Sequence, residues 1–396
     1  MRILFIPRED GQQMFGGDVV QMNKTAEALR DLGVLVDIGP VEQAKQANYD
    51  VVHLWTGLHF PHMLEPQVAE LASLRGTTLI ALSTIWAPHH LVRWMDAARR
   101  WLFRRRPDAA QLSIDTDFGD DLNAIALRTL DFQIEGQPKV SPFAPHTFMA
   151  ECREVLSGID LILPNSWMEL RAIYEYLGDF CAYAVVPNAV DARDFDGADP
   201  SELPDELRGR PYALMSARFD TRKQQDFAML AIKDLDIPMV FVGAHTDVEI
   251  FERTRVLAQG RKAPVFSYPF MPHAQLRNLY AGALVHLLPS IFESPGLSSL
   301  EAALLDCAVV VGNLGFESEY FQEGAYYCDP CSAFSIRNAV AQAWIDYPDE
   351  VLRRKILAKR IRRDFTWHAA AEATLRAYRR NAIKATPKSA SPTPIF

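Results

Sequence analysis

The sequence predicts an α/β protein built from two doubly wound parallel sheets, and three observations carry that prediction. The chain has 396 residues, which at the usual domain size makes two domains, with room for a third. Short apolar runs alternate with helix-period stretches through both halves, the pattern of βα units that assemble into parallel sheets. Pro187-Asn188-Ala189-Val190-Asp191 and the acidic, Pro-rich stretch Asp194 to Pro211 have the composition of a linker between the halves.

In the first half, Arg2–Pro7, Val34–Gly39, Val51–Trp55, Thr78–Ser83 and Leu161–Asn165 are expected as strands, with helices such as Asp18–Leu32 and Trp167–Leu177 between them. Arg104 to Pro145 breaks the rhythm and reads as a loop inserted over the sheet's edge. In the second half, Tyr212–Ala217, Met239–Gly243, Val265–Phe270, Leu284–Pro289 and Val309–Gly312 are the expected strands. Glu350–Arg362 and Trp367–Ala382 are helical patterns that finish the second domain. The predicted division is 1–190, with the insertion at 104–145, then 191–365, a terminal helix at 366–383 leaning back on the first domain, and a disordered tail at 384–396 rich in Ser, Pro and Thr.

Hydrophobic content of 49% and charged content of 23% are those of an ordinary soluble globular protein. A net charge of −9 argues against a nucleic-acid binder, which carries a basic footprint. Five cysteines without regular spacing argue against a disulfide framework. Cys328-Asp329-Pro330-Cys331 lacks the second pair or histidine that would complete a metal site. Arg2–Pro7 reads as a strand rather than a leader, and no apolar run reaches the roughly 20 residues of a membrane span. A cytoplasmic location is the expectation.

The chemistry concentrates in Phe292-Glu293-Ser294-Pro295-Gly296-Leu297-Ser298-Ser299-Leu300-Glu301-Ala302-Ala303. It follows an apolar strand and precedes the expected helix Leu300 to Leu305. Ligands of open α/β sheets bind at the carboxyl ends of strands, where helix N-termini favour phosphate. A carboxylate beside a diphosphate would be repelled, so Glu293 and Glu301 would accept hydrogen bonds from neutral groups such as sugar hydroxyls. Where the second domain's first strand ends, Arg218 and Lys223 emerge together and suit a diphosphate clamp. Phe15-Gly16-Gly17-Asp18, in the first βα turn, allows close backbone approach to a ligand. Glu319, in Gly315-Phe316-Glu317-Ser318-Glu319, would meet the sugar or cap a helix. Taken singly, the glycine pair also fits a plain turn and the cations a solvated loop.

In order and spacing these segments resemble the retaining glycosyltransferases of family 4, with the GT-B fold, over roughly Met1 to Tyr378. The matching features are Gly16 and Gly17, Arg218 and Lys223 five positions apart, and Pro289-Ser290 before the E-x7-E pair Glu293 and Glu301. Pro187-Asn188-Ala189-Val190-Asp191 is similar to the family's linker, and Phe365-Thr366-Trp367 with Tyr378 to its terminal helix. The resemblance implies a transfer of a hexose-type sugar, with retention, from a nucleoside diphosphate sugar to a hydroxyl of a glycan or lipid-linked acceptor. It implies no metal and no cofactor beyond the donor. Arg218 and Lys223 would neutralise the diphosphate and Glu301 would hold the ribose. Glu293, with the backbone of Gly296, Leu297 and Ser298, would contact the donor sugar, and Gly16 and Gly17 would bound the diphosphate. Arg218, Lys223 and Glu293 are thus the expected catalytic residues; acceptor-binding residues are unassigned.

The chain departs from the family pattern in three places. The strand ending Leu82-Ser83-Thr84-Ile85-Trp86 lacks the family's histidine, Gln224 replaces a glycine, and Asp306-Cys307-Ala308 replaces Gly-x-Pro. His53, His89, His90 and His146 are expected to be structural or on the surface, and Asp115-Thr116-Asp117 a solvated turn rather than a metal motif. Two other readings keep the fold: a sugar-nucleotide epimerase or hydrolase, and a non-catalytic nucleotide-sugar-binding subunit. Finally, Leu91 to Arg106 combines apolar residues at helical spacing with six arginines. It suits either a helix covering the sheet or peripheral contact with an anionic membrane.

Overall fold

The computed structural model describes residues 1–9, 11, 16–105, 144–178 and 181–382, the side chains of 101, 102, 104 and 105 excepted. The Asp115-Thr116-Asp117 turn, most of the 104–145 insertion and the 384–396 tail therefore lie outside the described residues. The first sheet holds β1 (Arg2–Ile6), β2 (Leu35–Ile38), β3 (Val51–Leu54), β4 (Leu79–Ser83), β5 (Leu161–Leu163) and β6 (Ala182–Tyr183). The second holds β7 (Ala213–Ser216), β8 (Met239–Val242), β9 (Val265–Tyr268), β10 (Val285–Leu288), β11 (Ala308–Gly312) and β12 (Tyr326–Cys328). Every strand pair is parallel, in the orders β2-β1-β3-β4-β5-β6 and β12-β11-β10-β7-β8-β9. All residues of β3, β4, β8, β10 and β11 are buried, which is why they read as unbroken apolar runs: parallel sheets are covered on both faces.

The helices of the first half are α1 (Gly17–Asp31), α2 (Pro61–Glu70), α3 (His89–Arg105), α4 (His146–Leu156) and α5 (Trp167–Leu177). Those of the second are α6 (Gln225–Ala231), α7 (Val248–Gln259), α8 (His273–Gly282), α9 (Leu297–Leu304), α10 (Glu317–Phe321), α11 (Ala333–Asp346) and α12 (Val351–Asp364), followed by α13 (Trp367–Asn381). α13 packs against α1. Trp367, Ala371, Leu375 and Tyr378 share a buried cluster with Ile3, Phe5, Met22 and Leu29.

Polar contacts, some buried and some exposed, tie the two halves. The Tyr320 hydroxyl donates to the Asn165 carbonyl at 2.5 Å and accepts from the Asn188 N–H at 2.9 Å. Glu319 accepts from the Trp167 and Met168 N–H groups, both at 2.9 Å. It thus serves a helix N-terminus, that of α5 in the other half, where a carboxylate is favoured. Glu169 is fully buried and accepts from Thr84 Oγ1 at 2.5 Å, from Trp86 N–H at 2.8 Å and from Asn165 N–H at 2.7 Å. Across the halves it also takes a longer contact of 3.4 Å from Ser294 Oγ.

α3 is used inside the protein. Val92, Trp94, Met95, Ala97 and Ala98 are buried in a cluster with Ile291 of the second half. Arg99 is buried, bonded to Asp96 at 2.8 Å and to the Thr221 carbonyl at 3.1 Å, with Asp226 at 3.6 Å. Arg100 pairs with Asp96 and Glu249. Val92, Trp94, Met95, Ala97, Ala98 and Arg99 thus face protein, while Arg93 is exposed and the side chains of 101, 102, 104 and 105 lie outside the described residues. Their helix spans the two halves, where the sequence suggested a sheet cover or a membrane contact. Among the described residues no helix is long and apolar enough to cross a membrane.

Two enclosed histidines make stability depend on pH. His53 is held by Tyr378 Oη at 2.5 Å and Ser83 Oγ at 3.0 Å, and His286 lies in β10. Burial lowers each from an ordinary 6.5 to about 3. Their neutral forms belong to the fold, so their contribution is complete above the unfolded value and is lost as pH falls below it. Each therefore steepens the loss by up to about 1.4 kcal/mol per pH unit. Urea midpoints at pH 7.5, 6.0 and 5.0 are expected to fall progressively, and His286→Leu to shallow the slope. An unchanged slope in that variant would contradict this reading.

Candidate functional site

In the second sheet the strand order reverses between β7 and β10, so their carboxyl ends open the crevice that this topology uses for ligands. Asp220 organises the loop after β7. Its Oδ1 accepts from the N–H groups of Arg222 at 2.9 Å and Lys223 at 3.1 Å, and its Oδ2 from Arg218 Nε at 3.1 Å. Burial opposes its charge, but Arg222, Lys223 and Arg218 outweigh that and hold the carboxyl below its ordinary range. Gln224 takes the left-handed conformation (φ 59°) that the expected glycine would enter freely. Its amide compensates by donating to the carbonyls of Pro289 at 2.9 Å and Pro330 at 3.1 Å.

The segment after β10 faces this loop. Glu293 is buried and accepts from Lys223 Nζ, with Arg222 Nη1 at 3.7 Å. Burial raises its proton affinity, and Arg222 and Lys223 together more than reverse that, so its carboxyl lies below the ordinary range. Burial lowers the Lys223 ammonium, with Glu293 opposing. Gly315 is required by close approach, because a side chain there would meet the Glu293 carbonyl at 2.4 Å. Glu317, fully buried beside it, has no hydrogen-bond partner for either oxygen, and burial drives its proton affinity well up.

α9 begins at Leu297, three residues before the expected start. Gly296 turns the chain into it at φ 85°. The first i→i−3 bond is made by Ser299, so the Leu297 and Ser298 N–H groups precede the helical ladder. Glu301, half-buried on α9, accepts from Tyr280 Oη at 2.8 Å, and burial raises its proton affinity.

Two cavities meet along this crevice. One, of about 610 Å³, is lined by Ser216, Lys223, His273, Ser298 and Glu301. The other, of about 420 Å³, is lined from the first half by Arg8, His59, Phe60, His89 and Asn165. Their common boundary is Gly16, Gly17, Arg218, Arg222, Glu293, Gly296 and Leu297. Side chains at the glycines would lie 3.7 Å from Arg218 Nη1 and 3.6 Å from Leu297 Cδ1, so the first βα turn closes directly onto the second half. Every predicted site residue, from Gly16 to Glu301, thus converges on one crevice.

Three residues of that crevice went unassigned in sequence. His59 follows β3 and lines the cavity with Nδ1 2.8 Å from the Ile85 carbonyl. The first half does bring an imidazole to the cleft, from the strand next to the one expected. Arg8 follows β1 and pairs with Asp18 at 2.9 Å. Arg222 sits beside Glu293. All three lie just past strand carboxyl ends, and that position was the available signal. His53 is structural, His89 lies at the cavity's edge, and His146 is exposed. Cys328 is buried against the Val311 carbonyl and Cys331 contacts Met95. Among the described residues no group of three or more His, Cys, Asp or Glu could hold a metal.

The two facing sheets and the cleft define a GT-B architecture, which solved structures share over nearly the whole chain. Sucrose-phosphate synthase from Thermosynechococcus elongatus superposes with a TM-score of 0.70, covering 96% of this chain and 99% of that one at 16% identity. Anabaena Alr3699/HepE, solved with UDP and glucose, gives 0.69 over 96% and 100% at 14% identity. A trehalose-phosphate synthase from Burkholderia xenovorans, solved with glucose-6-phosphate, gives 0.63 over 96% and 100% at 11% identity.

At the level of sequence, residues 204–363 match the family model described as glycosyl transferases group 1, so the second half carries a glycosyltransferase domain. Glycogen synthase 1 of Synechocystis is 30% identical over 127 residues, which are 29% of this chain and 26% of the relative. Alpha-maltose-1-phosphate synthase of Mycolicibacterium smegmatis is 25% identical over 218 residues, 50% of this chain and 56% of the relative. The chain thus spans about half or less of the length of these curated relatives.

Proposed function

We propose that the protein is a retaining glycosyltransferase that moves a hexose-type sugar from a nucleoside diphosphate sugar to a hydroxyl acceptor without a metal. The observation that carries the reading is the meeting of two cavities at Arg218, Arg222 and Glu293. A donor needs one pocket, an acceptor another, and the bond that breaks must lie where they join. Lys223 and Arg218 stand where the departing diphosphate gathers negative charge, and fixed cations there stabilise the transition state. The Leu297 and Ser298 N–H groups add to that field. Glu301 suits the ribose hydroxyls and Glu293 those of the donor sugar. Retention fits front-face attack, with the leaving phosphate accepting the acceptor's proton. Similarity of fold to proteins solved with UDP, with UDP-glucose and with glucose-6-phosphate supports a nucleotide-sugar donor and a sugar acceptor. A glycan or lipid-linked acceptor and a cytoplasmic setting belong to the same reading.

A thermal-shift screen against UDP-, GDP-, ADP- and CMP-sugars tests the donor assignment, because a ligand that binds the fold raises its melting temperature by mass action. One nucleotide class is expected to stabilise the protein, and Arg218→Ala to abolish the shift. No shift with any of the four would contradict the assignment.

A further inference from the structure

Asp191, Asp194, Glu293 and Glu301 line the larger cavity of the crevice, and the first three are paired with cations. Asp191 pairs with Arg193 at 2.8 Å, Asp194 with Lys24 at 3.1 Å, and Glu293 with Lys223. Glu301 differs. Among the described residues its hydrogen-bond partner is the neutral phenol of Tyr280, 2.8 Å from Oε2. A carboxylate so placed keeps most of its acceptor sites, and the two hydroxyls of a diol can fill them together.

Tyr280 is held so that its hydroxyl cannot wander. It lies near the end of α8, fully buried, with its ring centre 6.3 Å from that of Phe195 and 5.9 Å from that of His286. The Cys307 thiol donates to its carbonyl at 3.1 Å, and the Ser216 hydroxyl meets the phenol from the end of β7. Burial holds the phenol well above its ordinary range, so it stays protonated and donates. Burial also raises the proton affinity of Glu301. The Tyr280 bond is the first cause opposing that, then His273, while Asp194 adds to burial. The phenol thus fixes one oxygen of the carboxylate and favours its ionised form.

We propose that Tyr280 is the positioning residue of the ribose site: it orients Glu301 toward the nucleotide's diol and so sets a preference for ribose over deoxyribose. This rests on the donor reading above, in which Glu301 meets the ribose.

Isothermal titration of the full chain with UDP, GDP, ADP and CDP, and with their dideoxy counterparts that lack both ribose hydroxyls, tests it. For the diphosphate that binds best, wild type is expected to prefer the ribose form about tenfold or more, because losing the hydroxyls leaves Glu301 unmatched. Tyr280→Phe keeps the ring and its packing and removes the donor. It should weaken the ribose form about fivefold and leave the dideoxy form within about twofold, so the preference collapses. Glu301→Ala should remove the preference, and adding Tyr280→Phe to it should change the ratio no further, since one residue acts through the other. Melting curves confirm that each variant is folded.

Equal weakening of both forms by Tyr280→Phe, as a packing defect would give, overturns the proposal, and so does a preference that survives this change. A wild-type protein that binds ribose and dideoxy forms alike also overturns it and leaves the diphosphate clamp standing. Failure of wild type to bind any of these diphosphates would instead strike the donor reading itself.

Discussion

Lys223→Ala is expected to lower turnover about 10²–10³-fold, or about 3–4 kcal/mol of transition-state stabilisation, while the protein remains folded. Three features of the site set that size. The ammonium lies at the carboxyl end of β7, anchored through its own backbone N–H to Asp220, so it is in place before the reaction begins. It is shielded from water, where a fixed charge acts more strongly than at a surface. It also holds Glu293, so its removal leaves that buried carboxylate with Arg222 at 3.7 Å as its cationic neighbour. Arg218→Ala should act in the same direction. Steady-state kinetics with saturating donor checks both, and circular dichroism confirms the fold. Wild-type turnover in Lys223→Ala would remove the diphosphate role from this loop.

The second large effect is on stability. Glu169→Ala is expected to cost about 3 kcal/mol or more, because buried N–H groups of Trp86 and Asn165 and the Thr84 hydroxyl lose their acceptor together. Glu169→Gln keeps one carbonyl oxygen and should cost about half as much or less on the same reasoning. Through Ser294 the same carboxyl touches the segment beside Glu293, so the alanine variant should also loosen the junction between the halves. Urea denaturation gives the free-energy difference. A loss under about 1 kcal/mol would mean that water or a neighbouring group replaces the carboxylate.

Much of the fold was legible in the sequence because parallel strands buried on both faces must be apolar throughout. Met239–Val242 and Val285–Leu288 announce themselves in this way. The edge strands Ala182–Tyr183 and Tyr326–Cys328 were missed, being too short to form a run. The helix start at Leu297 was hidden because Gly296, with its positive φ, reads as the middle of a turn. The wall of the crevice from the second half was legible because Arg218 and Lys223, and Glu293 and Glu301, are close in sequence and keep fixed spacing.

The wall contributed by the first half was not. Arg8, His59 and His89 come from three loops that only the folded sheet brings together, and none carries a local signature. The same holds for α3. Its apolar stripe and arginines fit a sheet cover, a membrane or another domain equally well in sequence. The residues it meets in the second half, Ile291, Asp226 and Thr221, are more than a hundred residues away.

The central claim is that sugar leaves the donor only to join an acceptor. The most direct measurement follows nucleoside diphosphate release by phosphorus NMR, using the donor that stabilises the protein, with and without acceptor, and reads the anomeric configuration of the product by proton NMR. The expected result is release that depends on the acceptor and a glycoside that keeps the donor's configuration. Release at the same rate without acceptor would make the protein a hydrolase, and a donor isomerised without release would make it an epimerase; either would contradict the transferase account.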